Sequence, residues 1–489
     1  MNRIGLTSVF EGIMGHEIRA DYDQMYLLPP SVEDWVPQDH PARFIREFVD
    51  SLDLGEMGFR VSKCEVGRPS YASDLLLKVW LYGYFSKIRS TRSLEKACRE
   101  NMGLIWLTGM NTPDHNSLWR FFHNHKAQLK EIFKQTVQVA AKCKLIGMVV
   151  NALDGTRIRA TSCSRGVVKS EGLEKMLEQL DRSSADFMTE IERREQEEIG
   201  EYRLPPSMHS ALRRKSQIQK ALKELEESEK QSVHHREPEA RFMKNGRTLD
   251  LSYNAQAVAD KDNGIIVAQD VINEGTDNGQ LVPMLDQVHE NVGMVAQESL
   301  ADTGYYSSSQ IGLAEARSYD VLVNPPPKEI AAQGPETSPY HTLRFVYDEQ
   351  NDCCICPHGQ RLVYVKTKVR GRNRNEFRVY QCRKYRTCPH SGKCSRNKRG
   401  REISISVHQA VIERQRAKRN DPEKKRLLAL RKAIIEPVFA WIKRHMVFDR
   451  WTVYGLGGVT AQWSLVCSAI NLKKLYKHWK SERVVLERP

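Results

Sequence analysis

Two apolar runs that each end in an aspartate constrain this chain most. Residues 146–154 and residues 298–302 are rich in aliphatic residues and close with Asp154 and Asp302. Such runs predict buried strands. A carboxylate at the end of a buried strand needs a partner or a ligand, because it has lost its hydration. Each aspartate is followed within two residues by a glycine, so we expect both to stand where a strand gives way to a turn.

A third acid, Glu436, lies in a basic stretch that is predicted to be helical. Residues 421–423 read Asp-Pro-Glu, which supplies an N-cap, a proline at the first helical position and an acid in the first turn. On this helix Lys432, Glu436 and Lys443 fall at i−4, i and i+7 and therefore share one face. The alternative is an exposed ion pair at i, i+4.

Together the three acids predict a site for divalent metal ions. Mg²⁺ prefers oxygen ligands, and two such ions about 3.5–4 Å apart can cut and join phosphodiesters. We expect Asp154 to bridge both ions, Asp302 to complete one site and Glu436 the other, with Mn²⁺ as a substitute for Mg²⁺. The cations expected to hold DNA phosphates beside the metals are Arg431, Lys432 and Lys443.

Charge is distributed unevenly along the 489 residues, whose net charge is +14. Residues 353–489 contain 33 Lys and Arg against 9 Asp and Glu, so the preceding part carries about −10. Residues 361–401 contain 15 basic residues and a single acid, Glu376. This bias favours a polyanion as partner, above all nucleic acid. The alternative is a disordered basic tail, but four aromatic residues are interleaved with the charges: Tyr364, Phe377, Tyr380 and Tyr385.

The length predicts two or three structural units. Residues 1–140 carry apolar residues at helical spacing and are predicted to form a helical N-terminal DNA-binding domain, with Ser117 as one N-cap. A helix-turn-helix-like unit and a plain helical bundle remain alternatives. No run approaches 18 apolar residues, so we expect no membrane span. The first residues lack the apolar core of a secretory signal. We therefore expect a cytoplasmic, nucleoid-associated protein.

Residues 141–480 are predicted to form an α/β (α+β) catalytic domain. Two strand patterns flank a turn at residues 260–264, and further strands alternate with helices up to residue 324, which favours a mixed sheet. Residues 170–245 carry apolar residues at i, i+3, i+4 and i+7 and predict an inserted helical hairpin. The hairpin is either an arm that contacts a partner or DNA, or a passive spacer. Residues 481–489 are predicted to be a tail.

The eleven cysteines predict no disulfides, as expected in a reducing compartment. Six of them lie within a basic insert at residues 350–402. Four thiolates can close a tetrahedral Zn²⁺ site, and the candidates are Cys356, Cys382, Cys388 and Cys394. The alternative is that these are reduced structural cysteines.

Several stretches, taken together, resemble one family. They are residues 113–121 (PDHNSLWRF), 154–160 (DGTRIRA), 253–260 (YNAQAVAD), 277–285 (DNGQLVPML), 300–307 (LADTGYYS) and 431–443 (RKAIIEPVFAWIK). The chain resembles a bacterial insertion-sequence transposase of the DDE class, and the resemblance covers nearly its whole length. It implies a ribonuclease H-like core, Asp154, Asp302 and Glu436 as metal ligands, and DNA cleavage and strand transfer at terminal inverted repeats. The implied partners are the element ends, target DNA and a second copy in a synaptic complex.

One signature of related transposases is incomplete here. The tyrosine-arginine-glutamate-lysine pattern around the third acid is matched by Lys443, but Lys432 occupies the arginine slot, with Arg431 adjacent, and Ala429 the tyrosine slot. Two alternatives to an active enzyme remain. One is a non-catalytic DNA-binding protein derived from a transposase, and the other is a zinc-dependent nucleic-acid-binding factor.

Overall fold

The fold is described from a computed structural model. It describes residues 31–60, 70–195, 206–228, 230–327, 338–348, 350–370, 375–397 and 399–486. The expectations for residues 1–30 lie outside this description.

The described helices alternate with strands after a purely helical beginning. The helices are α1 (Pro41–Asp50), α2 (Ser73–Phe85), α3 (Thr91–Glu100), α4 (Met102–Leu107), α5 (His115–Asn124), α6 (Lys126–Lys142), α7 (Ser170–Glu195), α8 (Pro206–Ser228), α9 (Leu281–Val292), α10 (Ser308–Ala316), α11 (Ser391–Cys394), α12 (Gln409–Asn420), α13 (Pro422–Ala440) and α14 (Leu456–Leu486). The strands are β1 (Val150–Arg159), β2 (Val167–Val168), β3 (Val233–His234), β4 (Arg241–Asn245), β5 (Thr248–Asp260), β6 (Ile266–Ile272), β7 (Glu298–Ala301), β8 (Val321–Val323), β9 (Val346–Asp348), β10 (Cys353–Ile355), β11 (Arg361–Arg370), β12 (Asn375–Gln381) and β13 (Glu402–Ser406).

The central sheet is mixed, as the α/β prediction requires. Its order is β4-β5-β1-β7-β8, and β6 also pairs with β5. β5 is antiparallel to β1 and β6, whereas β1, β7 and β8 run parallel. The crossover helices α9 and α10 connect the parallel strands, as such connections require. The predicted hairpin at residues 260–264 is confirmed as the β5–β6 connection.

One prediction about β1 is wrong. We expected Asp154 to stand where a strand gives way to a turn, but β1 is continuous and Asp154 lies in its middle. The antiparallel register with β5 runs unbroken from Asn151 to Arg159. Gly155 therefore serves close packing, since a Cβ there would lie 2.5 Å from Nε2 of Gln256 and 2.6 Å from Oδ1 of Asp277.

One hydrophobic core joins the N-terminal helices, the central sheet and the long helix α14. α14 packs against α6, α2 and β6. The buried side chain of Asn471 on α14 accepts a hydrogen bond from the amide of Ile266 (2.9 Å) and donates one to its carbonyl (2.8 Å). The helix continues to Leu486, through most of the segment predicted as a tail.

Local capping explains where the helices begin. Asp421 caps α13 as predicted, because its carboxylate accepts a hydrogen bond from the amide of Glu423 and Pro422 follows it. At α5 the prediction is wrong. Asp114 is the N-cap, and its carboxylate accepts a hydrogen bond from the amide of Ser117 at 2.6 Å.

The two inserts have cores of their own. α7 and α8 pack together around Leu173, Ile218, Ala221 and Leu225, which agrees with the predicted hairpin. The basic cysteine-containing insert forms an antiparallel sheet in the order β13-β12-β11-β10-β9. The described part of this basic segment is therefore folded, and the disordered-tail alternative does not apply to it.

Candidate active site

Asp154 lies on β1, and Asp302 directly follows the last residue of the neighbouring parallel strand β7. Ala152 on β1 pairs with Leu300 on β7, so each aspartate follows its paired residue by two positions. Because side chains alternate along a strand, residues two apart share a face. The register therefore brings both carboxylates to the same face of the sheet.

Each of these carboxylates is held by nearby amides. Oδ1 of Asp154 accepts a hydrogen bond from the amide of Gly155 at 2.9 Å. Asp302 caps the short 3-10 helix Thr303–Tyr305, and its Oδ1 accepts a hydrogen bond from the amide of Gly304 at 2.8 Å. The backbone amides of Gly155 and Gly304 therefore orient the two carboxylates without the help of a ligand.

Burial raises the pKa of both aspartates. For Asp154 desolvation is the largest cause; the Arg431 guanidinium opposes it, and the charge of Asp302 raises the pKa further. For Asp302 desolvation again leads; the Gly304 amide and Arg431 lower the pKa, while the charge of Asp277 raises it. The site thus concentrates negative charge that solvent does not fully screen, and a cation would relieve it.

Asp302→Asn is expected to raise the melting temperature at pH 7 in metal-free buffer. A carboxyl whose folded pKa is raised stabilises the fold at low pH, and that contribution is lost as pH rises through the folded pKa. Asparagine removes the charge and still caps the 3-10 helix. The gain should shrink as pH falls towards 4, and thermal melts across this range measure it. Asp421→Asn, at an exposed N-cap, is the matched control. A gain that is equal at every pH would contradict the electrostatic cause.

Arg431 is the cation that balances these acids. It is 6% exposed, and its Nη1 lies 3.0 Å from Oδ2 of Asp154. Its Nε has no hydrogen-bond partner among the described residues. Arg431 lies on α13, which packs against β1, β5, β7 and β8. The guanidinium therefore occupies the acidic face of the sheet with donor capacity to spare.

Glu436 lies on the same helix, between two cations that act on Asp154. Arg431 precedes it by five residues, and Lys443 follows it by seven in the π-helix Trp441–His445. Desolvation lowers the pKa of Lys443, the charge of Arg157 lowers it further and that of Asp154 opposes them. Glu436 itself is exposed. Its helix thus runs alongside Asp154, while its carboxylate reaches solvent.

The three cations predicted to bind phosphate differ in their position relative to Asp154. Arg431 and Lys443 lie near Asp154, whereas Lys432 is exposed beside the buried Arg431. Within the described part of the chain, no three His, Cys, Asp or Glu side chains already form a set of metal ligands. Of the predicted triad, the structure brings two aspartates together and the helix of the third acid next to them.

Sequence reasoning missed a buried polar network beneath the aspartates. Asp277 is 8% exposed and accepts hydrogen bonds from the side-chain amides of Asn254 and Gln256, each at 2.7 Å. The hydroxyl of Tyr305 donates to Oε1 of Gln256. A signal was present, because Asn254 and Gln256 are two apart on one strand and so share one face.

Four cysteines of the basic insert line one small cavity of about 30 Å³, and they are the four predicted zinc ligands: Cys356, Cys382, Cys388 and Cys394. The Cys356 sulfur accepts hydrogen bonds from the amides of His358 (3.4 Å) and Gln360 (3.2 Å). Burial is the first cause that raises the pKa of Cys382 and Cys394, and the neighbouring thiols raise it further. The fold therefore gathers these distant cysteines at one point.

In the described part of the chain, no helix has both the length and the apolar character needed to span a bilayer.

The fold and the site define an α/β protein whose central sheet carries a desolvated acidic pair beside a basic helix. Comparisons with protein families indicate which kind of protein this is. Residues 355–476 match the transposase DDE domain, a stretch that includes Glu436, and residues 30–124 match the transposase domain DUF772. No curated protein matches the chain. The two family matches indicate an insertion-sequence DDE transposase, an enzyme of the nuclease and transposase kind whose partner is DNA.

Proposed function

We propose that this transposase cleaves DNA at the terminal inverted repeats of an insertion sequence and joins the freed 3′-hydroxyls to target DNA. Asp154, Asp302 and Glu436 would hold two Mg²⁺ ions, for which Mn²⁺ can substitute. The observation that carries the proposal is the adjacency of the two aspartates on parallel strands, on the face where a basic helix lies.

The donor set fits hard divalent cations. All three side chains offer carboxylate oxygens, the ligands that Mg²⁺ prefers. Without an ion, Asp154 and Asp302 repel each other, and each is desolvated. Glu436 lies about 7.5 Å along the helix axis from Arg431, at 1.5 Å per residue. Glu436 is also exposed, so it would have to move locally to join the two aspartates as a metal ligand. Binding of the ions would supply the free energy for this movement.

When bound, the metal ions would activate the attacking oxygen and neutralise charge on the phosphate. The chain's own residues supply orientation and further positive charge. Arg431 is buried and paired with Asp154, so its guanidinium would add fixed positive charge beside the phosphate. Lys443 approaches the same aspartate from further along the helix. Together they would hold the phosphate on two sides.

Three further expectations belong to this proposal. The mixed sheet, with β1 at its centre and Asp154 on β1, is consistent with a ribonuclease H-like core. Two element ends must be processed together, so a homodimer in the synaptic complex is expected. An enzyme that acts on chromosomal DNA is expected in the cytoplasm, at the nucleoid.

We also propose a structural Zn²⁺ site in the basic insert. Cys356, Cys382, Cys388 and Cys394 surround one cavity, and the two amides that donate to Cys356 would stabilise a thiolate there. Among the described residues these four side chains do not form a closed ligand set. Bound zinc would hold the strand connections of this sheet together.

A strand-cleavage assay on DNA that carries the element ends tests the proposal. Protein without added divalent ions should not cleave, and Mg²⁺ or Mn²⁺ should restore cleavage and strand transfer. The same preparation should contain about one zinc per chain by metal analysis. Cleavage that needs zinc and is indifferent to Mg²⁺ would favour the zinc-dependent factor. DNA binding without any cleavage would favour the non-catalytic protein.

A further inference from the structure

A second charged surface lies away from the acids. Two adjoining cavities of about 310 and 340 Å³ share Arg213 and Tyr454 among their lining residues. We call them together the lateral groove. Its walls come from α2 and α5 of the N-terminal helices, from α8 of the inserted hairpin and from the segment that leads into α14. Volumes of this size accommodate small ligands or parts of polymers.

The lateral groove is basic. The charged side chains among its described lining residues are all cationic: Arg89, Lys126, Arg213, Arg214 and Arg236. In the described part of the chain, no ion pair joins Arg213, Arg214 or Arg236 to an acid. Lys220 on α8 adds charge, and it contributes to lowering the pKa of both Lys126 and His123 after desolvation. The charge of Glu239 opposes this lowering of the Lys126 pKa, and the Glu239 carboxylate accepts a hydrogen bond from the amide of Leu456. Unrelieved positive charge of this kind suits a polyanion.

Two aromatic side chains that line the lateral groove are exposed to solvent. Trp119 is 45% exposed and Tyr454 is 51% exposed. Trp119 stacks on the ring of His123 with a centroid distance of 4.8 Å, which supports one side of the indole. Bases inside a duplex are stacked on each other, so a protein aromatic stacks most readily on a base that is unpaired. Aromatics beside a positive groove are the means by which proteins bind single strands.

The lateral groove is separate from the acids but connected to them. Thr161, just beyond the end of β1, donates hydrogen bonds to the carbonyls of Trp451 (3.0 Å) and Val453 (2.8 Å). Asp154 lies seven residues earlier along the chain, a distance of about 23 Å at roughly 3.3 Å per residue. Duplex DNA covers this distance in about seven nucleotides at roughly 3.4 Å each. One strand can therefore reach both places.

We propose that the lateral groove holds an unpaired segment of a DNA strand about seven nucleotides from the cleaved phosphate. Arg213, Arg214 and Arg236 bind its phosphates, and Trp119 and Tyr454 stack on its bases. The inference rests on the proposed function in taking DNA as the substrate. It gives the inserted hairpin a role as a DNA-contacting arm, because α8 supplies two of these arginines.

Fluorescence anisotropy with two DNA probes tests the proposal. One probe is a blunt duplex, and the other carries a seven-nucleotide single-stranded tail. Trp119→Ala and Tyr454→Ala should each weaken binding of the tailed probe at least about fivefold and leave the blunt probe unchanged, since base stacking is worth roughly 1–3 kcal/mol. Arg213→Gln and Arg236→Gln should each reduce the salt slope on the tailed probe by about 0.7. Phe242→Ala, an exposed aromatic elsewhere, and Arg182→Gln on α7 are the controls.

Three results would overturn the inference. The first is equal loss on both probes, which would mean that the groove binds only duplex backbone. The second is no loss on either probe. The third is competition by polyglutamate as strong as by tailed DNA, which would indicate an acidic protein partner. The proposed function fails separately: wild-type protein that prefers the tailed probe but never cleaves with Mg²⁺ would retain the groove and lose the enzyme.

Discussion

Asp154→Asn and Asp302→Asn should each lower the rate of strand cleavage by roughly a thousandfold or more, about 4 kcal/mol of transition-state stabilisation. Asparagine keeps the shape of the side chain but offers one oxygen and no charge, so the metal ions would be held weakly. DNA affinity should change little, because phosphate contacts by Lys and Arg dominate it. Single-turnover cleavage and anisotropy, measured on the same DNA, separate the two effects.

Controls are available within the same elements. Asp270→Asn changes a largely buried strand aspartate on β6, and Glu423→Gln changes an acid on the same helix as Glu436. Both should cleave normally. Glu436→Gln should be as inactive as the aspartate variants. Full cleavage by Glu436→Gln would remove it from the site, and Asp277, whose charge already acts on Asp302, would become the acid to test.

Arg431→Gln should lower the free energy of unfolding by about 3 kcal/mol at neutral pH in metal-free buffer. The change removes a buried cation and leaves two desolvated carboxylates without their counter-charge. The double variant Asp154→Asn/Arg431→Gln should recover much of this loss, because a neutral pair replaces the orphaned charge. Urea unfolding of the four proteins in the cycle measures the coupling.

The neighbouring residue supplies the control for this cycle. Lys432 is exposed, so Lys432→Gln should leave stability within about 0.5 kcal/mol. Added Mg²⁺ should narrow the gap between wild type and Arg431→Gln, because a bound cation takes over the balancing charge. Equal stability of Arg431→Gln and wild type without metal would show that the ion pair does not matter to the fold.

The ion pair of Arg431 and Asp154 also clarifies the incomplete signature near the third acid, Glu436. Counting positions assigns the arginine slot to Lys432, yet the residue that contacts Asp154 is Arg431. A helix turns by about 100° per residue, so adjacent positions face different directions. Which of two adjacent cations faces the sheet depends on how α13 packs against β1, and spacing alone does not specify it.

The strand containing Asp154 shows a related limit. A glycine after an acid is a turn signal in isolation, but residues 154–156 lie inside a continuous strand. The reason is tertiary: Gln256 and Asp277 approach Gly155 so closely that a side chain there would collide with them. The hairpin of β5 and β6 was predictable because its signals are local.

The sequence by itself determined the cap of α13, the mixed α/β class, the basic insert and the residues worth testing. These depend on periodicity, capping and composition, which act over a few residues. Only the tertiary structure decided that Asp154 and Asp302 are neighbours and that Arg431 balances their charge. It also decided that Asp277 lies in a buried polar network and that the lateral groove forms. The contacts among Asp154, Asp302 and Arg431 and the walls of the lateral groove depend on strand register and helix packing between segments more than a hundred residues apart. The network around Asp277 joins segments more than twenty residues apart. No local pattern carries that information.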